Sequence, residues 1–194
     1  MPPTQLILAS SSPRRRQLLE QLGLKFEVRS ANIDESIQGG ETASAYVGRV
    51  AMLKAVQVAT QMPQALILGA DTAVVVDGRI LGKPQSPADA RRMLTLLSGR
   101  SHAVLSGIAL AGTHQFSRTV ESQINFRVLS RGEIDWYVRT GEPMDKAGAY
   151  GAQGIGSFLI QSVHGSYSNV VGLPLAETLL LLNRAGVSFP WSET

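Results

Sequence analysis

From Ala65 to Val76 the chain runs Ala-Leu-Ile-Leu-Gly-Ala-Asp-Thr-Ala-Val-Val-Val, apolar and largely β-branched on both faces. A run of that kind belongs in a strand covered on both sides, the habit of a parallel sheet rather than of a half-exposed hairpin. It therefore predicts a central strand and requires helices to cover it. Residues 5–9 supply a second buried strand, and residues 25–30 a third. Helices are predicted over 13–22, stopped by Gly23, and over 42–61, ended before Pro63. Asp77-Gly78 is a tight-turn signal that returns the chain through Arg79-Ile80-Leu81. Ser86-Pro87 opens a helix closed by Gly99, and residues 102–111 and 117–128 alternate as a pair of long antiparallel strands. Ser130 and Glu133 have capping-box spacing for a helix to about Arg139. A strand over 157–163 and a helix over 174–185 complete the chain. Parallel βα units with inserted hairpins predict a mixed α/β domain around one sheet, a single domain spanning 1–194 with no repeat or linker.

Asp71 interrupts the central run, and an ionised carboxylate inside such a strand is costly unless it is paired or binds a metal. A second chemical signal lies near the start, where Leu6-Ile7-Leu8-Ala9 gives way to Ser10-Ser11-Ser12-Pro13-Arg14-Arg15-Arg16. Ser12 is a good N-cap and Pro13 suits the first helical position, so the three arginines crowd a helix start that carries partial positive charge. Serine hydroxyls, free N–H groups and guanidinium forks at that end suit an anion site, phosphate above all; the alternative is a solvated basic helix start. Asp34-Glu35, in the loop after the third strand, is by itself the usual composition of a solvated surface; if it places a further carboxylate near Asp71, two such groups suit Mg²⁺ or Mn²⁺. Only four lysines are present; Lys83 stands between Gly82 and Pro84 on a stiff connection, whereas Lys54 falls within a helix whose solvated face is its default place. The stretch from Asp145 to Gly154 is glycine-dense with Gln153 as its polar tip, which suits either a flat ligand or a tight loop.

Other chemistries are excluded. There is no cysteine, hence no disulfide, thiolate metal site or cysteine nucleophile. The three histidines lack mutual ligand spacing, and no Gly-x-Ser-x-Gly or Walker loop occurs. A formal net charge of +3 suits anionic substrates without demanding nucleic acid. No signal peptide or membrane span is read, so a cytoplasmic protein is expected.

Together these segments resemble the Maf family of nucleoside triphosphate pyrophosphatases. The matching motifs are Ala9-Ser10-Ser11-Ser12-Pro13-Arg14-Arg15, Ile33-Asp34-Glu35, Lys54-Ala55, Gly69-Ala70-Asp71-Thr72, Gly82-Lys83-Pro84, Asp145 to Gly151, and Val171-Gly172-Leu173-Pro174-Leu175. The resemblance implies a single mixed-sheet Maf/ITPase-like domain with two lobes around a nucleotide-binding cleft, and hydrolysis of a nucleotide between its α and β phosphates. It assigns Asp71 as proton acceptor and metal ligand, Glu35 as a second carboxylate for the divalent metal, and Ser10, Arg15, Lys54 and Lys83 to the triphosphate. Arg14, Thr72 and Gln153 match positions that sort the subfamilies, and Asp-Thr followed later by Gln-Gly is similar to the dTTP/UTP branch rather than the 7-methyl-GTP branch. Leu53 departs from the pattern, where an acidic residue is common. Relatives of this kind imply a homodimer. Two readings of other classes are a nucleic-acid module using Arg14, Arg15 and Arg16, and a cell-division regulator that binds nucleotide only; a single basic cluster and 6% aromatic residues speak against the first.

Overall fold

The computed structural model describes residues 5–192, so residues 1–4 and 193–194 of the expected domain lie outside the described residues. In chain order the elements are β1 (Leu6–Ala9), α1 (Pro13–Glu20), β2 (Glu27–Val28), α2 (Ala43–Ala59), β3 (Leu66–Val76) and β4 (Arg79–Leu81). They continue with α3 (Pro87–Leu97), β5 (Ser101–Gly112), β6 (Phe116–Phe126), α4 (Arg131–Arg139), β7 (Ile160–His164), α5 (Tyr167–Val171) and α6 (Leu175–Arg184). Three 3₁₀ segments, Glu142–Asp145, Ala147–Ala149 and Gly154–Leu159, lie between α4 and β7.

The strands form one mixed sheet in the order β2-β1-β3-β5-β6-β7, with β4 paired to β3. β1 runs parallel to both β2 and β3, while β3–β4 and β6–β7 are antiparallel. The apolar run from Leu66 to Val76 is thus an interior strand, unbroken at Asp71. The strand predicted over 25–30 shrinks to Glu27–Val28, because both residues are exposed at the sheet's edge and nothing rewards further pairing. The strand predicted from 157 begins at Ile160. Gly154, at φ 75°, turns the chain into a 3₁₀ segment that Ser157 closes by donating from Oγ to the Gly154 carbonyl at 2.8 Å. The short helix α5 has no counterpart in the sequence reading; Ser166 Oγ starts it by accepting the Asn169 N–H at 3.2 Å.

The chain divides into two compact units. One takes residues up to Asp71, Ser106–Val120 and the residues from Gly172 onward; the other takes Thr72–Leu105 and Glu121–Val171. In the first, Ile7, Ala9, Ile67, Ala109 and Ala111 from the strands pack with Ala51, Ala55 and Val58 of α2. Gly69 brings helix and strand together: a Cβ there would lie 2.1 Å from the Ala51 carbonyl oxygen and 2.9 Å from the Ala55 nitrogen. In the second, α3 and α4 bury Leu94, Leu97, Ile134, Tyr137 and Val138 against Ile124 and Phe126 of β6. The start of α4 carries the full capping box between Ser130 and Glu133.

Candidate active site

Successive residues of a strand point to opposite faces, so Gly69 and Asp71 of β3 share the face that α2 covers. On α2 the side chain of Lys54, whose neighbours Ala51 and Ala55 close on Gly69, reaches back to the strand. Its ammonium lies 2.8 Å from Asp71 Oδ1 and 3.0 Å from Glu35 Oε1. Asp71 and Lys54 are buried, whereas Glu35 keeps about half its surface exposed, at 47%. One cation therefore binds two carboxylates, which resolves the cost of an anion in the strand: the charge is paired and hydrogen-bonded. Lys54 is not on a solvated face.

The loop that carries Glu35 is held from α2. Tyr46 donates its hydroxyl to the Glu35 carbonyl at 3.1 Å, and Arg49 donates to the Ser36 carbonyl at 2.9 Å while gripping Glu41 through two bonds of 2.6 and 2.8 Å. Burial, reinforced by Asp71 and Glu35, pushes the Tyr46 hydroxyl up to about 12, so it stays a donor. Asp34 serves the same loop by accepting the Ser36 N–H and hydroxyl, both at 2.9 Å; those bonds hold it below the usual carboxylate range. Of the acidic pair, Glu35 is the one that meets Asp71's partner. Tyr46 and Arg49 carry no motif of their own and were invisible as site residues in the sequence.

At the start of α1 the expected N-cap is present, with Ser12 Oγ accepting the Arg15 N–H at 3.5 Å and Pro13 in the first turn. Ser10, just past β1, is buried, and its hydroxyl accepts both the Ser12 N–H and Arg15 Nη1 at 3.2 Å. Arg15 Nε donates to the Gly172 carbonyl at 2.8 Å, so the guanidinium is fixed in orientation by serine and main chain. Burial pulls Arg15 below its ordinary value; Asp71 opposes that effect and Arg14 adds to it. An arginine remains charged under such pressure. No acidic residue offsets the cations in the first turn. Arg16 lies outside this cluster, exposed and paired with Glu20 at 2.7 Å.

The remaining sequence candidates belong to the second unit. Thr72 is half-buried on the face of β3 opposite to Asp71. Lys83 is exposed between β4 and α3, its carbonyl accepting Gln85 Nε2 at 3.2 Å. Gln153 is half-buried at the tip of the glycine-dense stretch, and its side-chain amide has no hydrogen-bond partner among the described residues. The neighbouring glycines serve close packing rather than a ligand: a Cβ on Gly148 would meet Val74 at 2.9 Å, and one on Gly156 would meet Tyr137 Oη at 2.4 Å. His102 is buried with Nε2 2.8 Å from Tyr150 Oη and ring edges of Phe126 and Tyr150 about it; burial lowers its pKa to about 4. Among the described residues no group of three or more His, Asp or Glu side chains could hold a metal.

A family profile described as Maf-like protein matches residues 5–185. The chain belongs to the Maf family. It is 55% identical over 188 residues to a dTTP/UTP pyrophosphatase of Myxococcus xanthus, covering 97% of this chain and 96% of that protein. A protein of the same name from Anaeromyxobacter is 53% identical, covering 96% and 92%. Another from Symbiobacterium thermophilum is 52% identical, covering 94% of each. Among solved structures, the Ham1 protein of Staphylococcus aureus is 16% identical, with a TM-score of 0.47 over 81% of this chain and 80% of that one.

Proposed function

We infer that this Maf protein hydrolyses dTTP and UTP to the monophosphate and pyrophosphate. The observation that carries the reading is the carboxylate of Asp71, buried in the strand, paired with Lys54 and bordered by Glu35, in a chain more than half identical to dTTP/UTP pyrophosphatases over nearly its whole length. A water molecule attacks the α-phosphorus and its proton passes to the Asp71 carboxylate; the bond from that phosphorus to the bridging oxygen breaks, and pyrophosphate leaves. Lys54 fixes the direction of Asp71, while Ser10 and Gly172 set the orientation in which the Arg15 guanidinium would meet a triphosphate. By motif, Lys83 contributes to the same anion, and Arg14, Thr72 and Gln153 select the base.

A divalent cation fits this donor set. Glu35 and Asp71 already direct one oxygen each at a single ammonium, and hard oxygen ligands suit Mg²⁺ or Mn²⁺ when phosphate and water complete the shell. Those two residues would hold the ion, which supplies neutralisation of charge on the phosphates. Among the described residues no helix is long and apolar enough to cross a membrane; a cytoplasmic homodimer is the assembly that the family resemblance implies. The test is a panel of nucleoside triphosphates with Mg²⁺ or Mn²⁺, scored for monophosphate and pyrophosphate. Preference for dTTP and UTP is expected; release of orthophosphate, or no preference over purines, overturns the reading.

A further inference from the structure

The segment 151–156 that carries Gln153 is closed at both ends on two side chains outside the family motifs. Glu142, in the 3₁₀ turn after α4, accepts the Gly156 N–H on Oε1 at 2.8 Å and the Ile155 N–H on Oε2 at 3.1 Å. The same Oε1 accepts the hydroxyl proton of Tyr137 at 2.9 Å. Tyr137, fully buried on α4, accepts the Gly151 N–H on that hydroxyl at 3.2 Å. One tyrosine and one carboxylate thus gather main-chain donors from both sides of Gln153.

The hub is itself immobilised. The Glu142 N–H donates to Thr140 Oγ1 at 3.2 Å and its carbonyl accepts Lys146 Nζ at 2.6 Å. The space is full as well: a Cβ on Gly156 would lie 2.5 Å from the Gly151 carbonyl oxygen, so the two ends of the segment touch. Every polar group of the hub is used, while the Gln153 amide at the tip is left without a partner among the described residues. That is how a rigid element presents a recognition group.

We propose that Tyr137 and Glu142 are positioning residues for base selection, clamping both ends of the 151–156 segment so that the Gln153 amide is presented in one orientation to the pyrimidine. The inference rests on the assignment of Gln153 as a base reader, and its test separates the two. Tyr137→Phe keeps the ring and removes the hydroxyl; Glu142→Gln keeps the volume but sets an amide against a main-chain donor, and it serves should the first variant not fold. The ratio of kcat/KM for dTTP over dGTP is measured by pyrophosphate release in the full protein. Each variant should lower that ratio about tenfold, chiefly through a higher KM for dTTP with kcat within about twofold, as lost orientation of one hydrogen-bonding group would. Adding Tyr137→Phe to Gln153→Ala should change the ratio by less than about twofold, because both act through the same contact. An unchanged ratio in both folded variants overturns the proposal, as does an equal fall for all nucleotides or an additive loss in the double variant. An unchanged ratio in Gln153→Ala alone overturns the base-reader assignment, and the proposal falls with it.

Discussion

Gly69→Ala tests the link between packing and chemistry most directly. The added methyl would lie 2.1 Å from the Ala51 carbonyl oxygen and 3.0 Å from the Ala55 Cβ. Carbon and carbonyl oxygen rest no closer than about 3.3 Å, so strand and helix must part by about 1 Å. The obstacle is helix backbone, which cannot rotate away as a side chain could. Overpacking of a core costs about 1–3 kcal/mol, and a backbone obstacle puts this site at the upper end. Loss of unfolded-chain entropy on replacing glycine works the other way by about 0.4–1 kcal/mol. A net loss of about 2 kcal/mol lowers the melting temperature of a chain this size by about 4–8 °C. Lys54 sits on the turn of α2 that must retreat, so its 2.8 Å bond to Asp71 is stretched, and a misplacement of about 1 Å lowers turnover about a hundredfold. Thermal melts and pyrophosphate release from dTTP, assayed well below the variant's melting temperature, measure the two effects separately. Wild-type melting refutes the steric argument. A lowered melt with full turnover refutes the claim that α2 positions Asp71.

Asp71→Asn keeps an acceptor toward Lys54 but cannot take a proton, so the fold should survive, with its melt within a few degrees, while kcat falls by about 10²–10⁴-fold; near-native turnover in the purified variant sinks the assignment of Asp71 as base. A pH dependence follows from His102, which burial holds neutral down to about pH 4 while the unfolded chain takes up a proton near 6.5. The unfolded state therefore binds more protons between those values: this contribution is intact above about pH 6.5, is lost as pH falls, and levels off below pH 4. The total is about 3 kcal/mol, and His102→Gln should remove that slice of the acid sensitivity, seen as a smaller difference between urea midpoints at pH 7 and pH 4.5.

The sequence made β3 and Asp71 legible because a charge inside an unbroken apolar run has few physical solutions, and it made the start of α1 legible because caps and macrodipole act on neighbouring residues. Lys54 was not legible as a buried residue. Along α2 the exposed positions include Leu53 and Val56, at 40% and 41% exposure, while the lysine faces inward. Hydrophobic periodicity inverts there because Asp71, seventeen residues on, supplies the counter-charge, and no local pattern records that. Glycines at 148, 151 and 156 left ligand approach and tight packing equally open; only Cβ distances to Val74, Lys146 and Tyr137 decide for packing. Tyr137 and Glu142 were hidden for a different reason: their partners include main-chain N–H groups, which every sequence has.

Charge balance ties the two ends of the proposed site together. A nucleoside triphosphate brings about four negative charges, and catalysis of its cleavage is largely positioning and neutralisation. Asp71 and Glu35 add two more, yet Lys54 is shared between them and cannot serve as a full counter-charge for both and for a phosphate. With Arg15 counted beside Lys54, two positive charges would meet about six negative ones, and a divalent ion would reduce the excess to about two. Arg14, the neighbouring cation at the same helix start, adds to the downward pull on Arg15. Under the proposed function, the crowding of cations at a helix start and the burial of a carboxylate in a strand, each unfavourable by itself, are two halves of one electrostatic design: local hydrogen bonds hold each of them, and both would become favourable with a triphosphate and a divalent ion bound.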